Sequence, residues 1–169
     1  MTYLRLDDRI YDPDYELLED ILRTLDHGWD VTAEASAKCS GPNEAEFIDR
    51  LEYIAGIGLT ACQRYIASTY PYSGKNRKAA FLLPPMHSPG TSYVSLINAG
   101  ANYWKHADEW ELEPESRRKT TLSTLKTALK EEEMGFLCSN LLCTLVGNDP
   151  LPFSRIQKLL IEWRTELLK

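Results

Sequence analysis

What the chain lacks narrows its class first. Its 169 residues contain no run of about 18 apolar residues, so nothing reads as a membrane span. The opening stretch MTYLRLDDRIYDPDYELLED is acidic where a signal peptide would be basic and then apolar, which reads as a soluble cytoplasmic protein. Internal repeats and segments of alternating polar and apolar residues are missing, so paired strands are not expected. There is no Walker A loop or dinucleotide-binding glycine motif, and no G-x-S-x-G elbow. Nucleotide-cofactor chemistry and a hydrolase triad therefore have no support, and no cofactor is expected.

Basic residues are also in deficit, 19 Lys and Arg against 25 Asp and Glu, for a net charge of −6. That balance weighs against a protein that coats nucleic acid by overall attraction, but leaves room for a local basic patch. The candidates are GKNRK (74–78) and SRRKTTLSTLK (116–126). Cys39, Cys62, Cys138 and Cys143 stand far apart or at a C-x4-C spacing that matches no common zinc pattern. They read as buried free thiols, with no metal.

What is present is helical periodicity. Asp12 is placed as an N-cap, Pro13 suits the first helical position, and Asp14 and Glu16 suit the positive end of a helix dipole. The spacing predicts a helix to about Leu25, with Leu18, Ile21, Leu22 and Leu25 as its stripe and Gly28 ending it. Residues 29–42 show no convincing period. A second helix is predicted from Asn43 to about Ser68, and its apolar residues on several faces mark it as central. Gly56 and Gly58 weaken it by roughly 1 kcal/mol each, which suggests close approach by a neighbour.

Residues 69–91 hold four prolines and two glycines and are expected to form an irregular loop. Helical spacing returns from Thr91 to Trp110. Beyond the break at Pro114, Ser116 can cap a helix to about residue 133, followed by a short buried helix over 134–147. A last helix after DPLPF carries Ile156, Leu159, Leu160, Trp163 and Leu167. The prediction is an all-α protein, a single helical domain over 1–169 built as a bundle of five to six helices.

INAGANYWKHADEW (97–110) concentrates polar chemistry on an otherwise apolar helix. At about 100° per residue, Ser95, Asn98, Asn102, His106 and Glu109 share one stripe, with Lys105 at its margin. Histidine titrates near neutrality, so a general acid or base would be well served there. A solvent-facing strip of hydrogen-bonded side chains fits the same spacing.

The string ANYWKH resembles the HEPN superfamily, small all-α domains that often act as metal-independent ribonucleases in toxin–antitoxin and antiphage defence systems. Their motif is an Arg followed by a polar residue such as Asn, then His at a spacing of four to six. Asn102 matches the polar position and His106 the histidine, but Ala101, Gly100 and Ala99 occupy the places the Arg would take. The resemblance implies that His106 moves protons on an RNA substrate and that a homodimer shapes the cleft. A replacement cation would have to be Lys105, or Arg117 and Arg118 from the following helix. On this reading His106, Asn102 and Lys105 are the catalytic candidates, and Asn98, Glu109, Arg117 and Arg118 line the substrate path.

Without the cation the chain reads instead as a non-catalytic relative, a helical interaction module for a protein partner or antitoxin. Asn98, Asn102 and His106 would then form a polar network that fixes helix register. A third reading is a small-molecule sensor with a pocket framed by residues 81–87 and the aromatic residues of the 92–110 helix.

Overall fold

The computed structural model describes residues 4–6, 9–38, 44–110, 115–147 and 149–169, with backbone alone for 4–6, 9–11, 44 and 115–117. Among these, seven α-helices carry the chain: α1 (Pro13–Lys38), α2 (Glu44–Thr69), α3 (Arg77–Phe81), α4 (Tyr93–His106), α5 (Glu115–Leu125), α6 (Leu137–Val146) and α7 (Pro152–Leu167). The all-α expectation holds, although the count exceeds five to six because the 69–91 loop contains the single-turn helix α3. The loop also holds a 3-10 turn at Tyr70–Ser73 and a short antiparallel pair, β3 (Met86–Ser88) with β4 (Thr91–Ser92). A second such pair, β1 (Leu4–Leu6) with β2 (Arg9–Tyr11), precedes α1. Both run against the expectation of no paired strands, and at two or three residues a strand is too short to show an alternating pattern.

Asp12 caps α1 as expected, its Oδ1 accepting from the Tyr15 backbone N–H at 3.1 Å. Gly28 does not end that helix, which continues ten residues further to Lys38. The physical reason is tertiary. Trp29 is buried one residue beyond the glycine and meets the Phe153 ring edge-on at 6.3 Å, which rewards continued winding. The helix over 91–110 is also shorter than its periodicity suggests: α4 stops at His106, and the next residues turn so that the Trp110 N–H still reaches the His106 carbonyl at 3.0 Å. Similarly, α5 ends at Leu125, and a 3-10 turn at Glu131–Phe136 leads into α6. The helix start at Asn43, the break at Pro114 and Cys39 lie outside the described residues, as does the side chain of the cap candidate Ser116.

Helix α2 packs on α1, α4 and α6, and one cluster of buried side chains runs through these helices and α7, including Leu22, Leu59, Ile66, Ile97, Leu141, Phe153 and Trp163. The close approach anticipated at Gly56 and Gly58 is present. A Cβ on Gly56 would fall inside the Trp104 indole, and one on Gly58 inside the Phe153 ring. Two carboxylates then fasten the later helices to the earlier ones. Buried Asp26 of α1 accepts from the backbone N–H groups of Phe153 and Ser154 at 2.8 and 2.9 Å, at the N-terminus of α7. Glu52 of α2 does the same for Cys138 and Ser139 at the start of α6, at 2.8 Å each. Each supplies acceptors where a helix leaves its first N–H groups unpaired, and each negative charge lies at the positive end of the dipole.

No helix among the described residues is long and apolar enough to cross a membrane.

Candidate functional site: a donor-lined groove

The polar stripe of α4 is divided by its partners. Gln63 of α2 faces it, and its Nε2 donates to Asn98 Oδ1 at 2.9 Å and to Asn102 Oδ1 at 2.7 Å. On the other side of the same carboxamide, Lys105 Nζ donates to Gln63 Oε1 at 2.6 Å. The lysine therefore fixes which way Gln63 points, and Gln63 fixes both asparagines. With their oxygens engaged, the Nδ2 amides of Asn98 and Asn102 are the groups left to recognise something else.

Arg77, at the first position of α3, also donates to Asn98 Oδ1 at 3.2 Å and lies over the Phe81 ring at 5.0 Å. Its helix is capped by Asn76, whose Oδ1 accepts from the Ala79 N–H, and is held against α4 by Ser92 and Ser95, whose hydroxyls both donate to the Phe81 carbonyl. Hollows of about 560 and 430 Å³ flank this junction and share Asn98, Asn102, Arg77 and Phe81. Arg64, Lys78 and Lys105 complete the cationic lining, and Thr120, Thr121 and Thr124 of α5 close one wall. Among the described residues no Asp or Glu lines either hollow. In a chain of net charge −6, this is a segregated donor surface suited to an anion.

His106 belongs to a different arrangement. As the last residue of α4 it donates through Nδ1–H to the Glu109 carboxylate Oε2 at 2.8 Å, and its ring stacks on Trp110 at 6.5 Å with 19° between the planes. Both side chains of the pair are substantially exposed. Eight residues of helix, roughly 12 Å, separate it from Asn98, where Arg77 is anchored. The structure thus joins Asn98, Asn102 and Lys105, joins His106 to Glu109, and does not join the two sets by hydrogen bonds. Arg118 lies on α5 outside the lining of both hollows, and the Arg117 side chain lies outside the described residues.

The positions where a HEPN-type arginine would stand are all interior. Ala101 is fully buried, Ala99 nearly so, and a Cβ on Gly100 would lie 2.6 Å from Leu141 Cδ2 and 2.9 Å from Leu59 Cδ1. These small residues let α4 close on α2 and α6. The groove's cations are instead Arg77 and Lys78 of the GKNRK patch, with Arg64 and Lys105, and Gln63 stands opposite. Gln63 carried no sequence signal, because it is one polar residue on a helix face that gains meaning only when α4 packs against it.

Among the described residues no three His, Cys, Asp or Glu side chains converge on a common point. Burial pushes the Cys62 thiol up to about 12 and raises Cys138 as well, so both are held as neutral, unreactive thiols. Comparison with protein families, with curated proteins and with solved structures finds no match to this chain.

Proposed function

We propose that the α2–α3–α4 groove binds a phosphate-bearing ligand, with single-stranded RNA as the class, and that the chain is a binding relative of HEPN-like domains rather than a nuclease. The observation that carries this is the donor array. Lys105 orients Gln63, Gln63 orients Asn98 and Asn102, and their amides stand beside Arg77, Arg64 and Lys78, with no acid among the described lining residues. Arginine forks and amide donors suit phosphate oxygens, and Phe81 offers an apolar surface at the same junction. Metal-independent cleavage needs a proton-moving group and a cation on one phosphate, whereas His106 lies roughly 12 Å along α4 from Asn98, to which Arg77 of α3 donates.

A second reading, a homodimeric metal-independent ribonuclease of a toxin–antitoxin or antiphage system, is favoured by one observation. The 2.8 Å contact between Glu109 and His106 Nδ1 would hold the imidazole with Nε2 free to take a proton from a ribose 2′-hydroxyl. The cation would then have to come from a second copy.

The test measures anisotropy of a labelled single-stranded RNA over a range of salt, together with cleavage in EDTA, for the wild type, Arg77→Ala and His106→Ala. Binding that weakens with salt and with loss of Arg77, without cleavage, supports the binding reading. Cleavage lost in His106→Ala supports the second. Salt-independent binding, or binding indifferent to Arg77, removes the first.

A further inference from the structure

Further along the α2–α4 contact, past Thr60 and Lys105, lies a second surface with inverted chemistry. Two open hollows, of about 840 and 550 Å³, adjoin at Tyr53 and Asp49. Their apolar residues include Tyr53, Ile57, Val31 and Phe136, exposed at 63%, 47%, 54% and 39%, well beyond what isolated surface hydrophobics require. Trp104 stands edge-on to Tyr53 at 4.9 Å, which stiffens the centre. Along α2, Asp49, Tyr53, Ile57 and Thr60 follow at spacings of four, four and three, a straight stripe of roughly 16 Å, or three helical turns.

The charges around it select the occupant. Arg50 is paired with Glu46 at 2.7 Å, and Lys105 turns its Nζ to Gln63. Glu52 is committed to the α6 N-terminus. That leaves Asp49 and Asp108, both exposed, with no ion pair among the described residues. An elongated apolar trough with uncommitted acids at its middle and end fits a cationic amphipathic helix. A second copy of this acidic chain would bring like charge to the same rim.

We propose that this trough is the docking site for a basic amphipathic helix of a partner protein, which sets its apolar stripe on Tyr53, Ile57 and Trp104 and its lysines or arginines against Asp49 and Asp108. Thr60 and Lys105 line both this trough and the anion groove, whereas Asp49, Tyr53, Ile57 and Asp108 belong to the trough alone.

The experiment uses the full chain and a labelled Leu/Lys amphipathic peptide of about five helical turns, with Leu/Gln and Leu/Glu peptides of the same pattern as controls. The expected result is saturable binding of the Leu/Lys peptide, at least about tenfold weaker for Leu/Gln and lost for Leu/Glu. Tyr53→Ala with Ile57→Ser should weaken it at least about tenfold, and Asp49→Asn with Asp108→Asn should flatten its salt dependence. All four side chains are exposed, so circular dichroism should show unchanged helix content. Arg77→Ala should leave peptide binding intact, which separates this site from the groove. Binding indifferent to these substitutions, or equally tight for Leu/Gln, overturns the proposal. So does a dimer in sedimentation velocity that Tyr53→Ala dissolves, since the occupant would then be a second copy.

Discussion

Lys105 Nζ lies 2.6 Å from Gln63 Oε1, and that contact sets the direction of every carboxamide in the groove. The relay runs from α4 to α2 and back to α4, so the donor surface depends on the packing of two helices rather than on either alone.

Gln63→Glu should therefore reverse the groove. A carboxylate would keep Lys105 but could not donate to the asparagines, whose amides would turn inward and present oxygen to the ligand. RNA affinity in anisotropy is expected to fall by more than about tenfold, the order of one charged hydrogen bond lost and one repulsion gained. Gln63→Leu, which removes the relay without adding charge, should fall between this variant and the wild type.

Arg77→Ala should weaken RNA binding across sequences and reduce the slope of log affinity against log salt by about one, as expected for loss of a single phosphate contact. A salt series with two unrelated RNA sequences checks both statements.

Ala101→Arg, which would restore the arginine of the HEPN-type motif, should unfold the protein rather than create a nuclease. The position is fully buried beside Gly100, where even a methyl group meets Leu141. An unpaired charge there is expected to cost at least about 3 kcal/mol, read as a lowered urea midpoint.

Asp26→Ala should destabilise the fold without touching the groove. It removes two backbone acceptor contacts and a third from the Ser154 hydroxyl at 2.5 Å, leaving the start of α7 unpaired. A loss of about 2 kcal/mol is expected in chemical denaturation, with RNA affinity of the folded fraction unchanged.

Stability should also fall in alkali. The Cys62 thiol ordinarily loses its proton near 9.0, but burial moves this to about 12 in the folded chain. Below the lower value both states are neutral and the contribution is complete. Between the two values the unfolded chain releases the proton while the folded chain holds it, so stability declines by up to about 1.4 kcal/mol per pH unit for this group. Urea midpoints from pH 8 to 11 should drop, and Cys62→Ala should show the shallower decline.

The helical class, the central character of α2 and the grouping of Asn98, Asn102 and Lys105 were legible because helical periodicity places residues on faces without reference to any neighbour. Helix ends were less so. Gly28 is a stop signal locally, yet the Trp29 contact with Phe153 carries α1 past it. The basic run containing Arg77 was visible by composition, but its place beside Asn98 depends on the turn at α3, and Gln63 had no signal.

Local sequence thus dictated which residues could share a helix face, since that follows from a fixed rotation per residue. The close packing of α4 on α2 decided the rest: it buried Ala101 and turned Gln63 toward two asparagines. Those outcomes depend on contacts between residues distant in the chain, which no local pattern encodes.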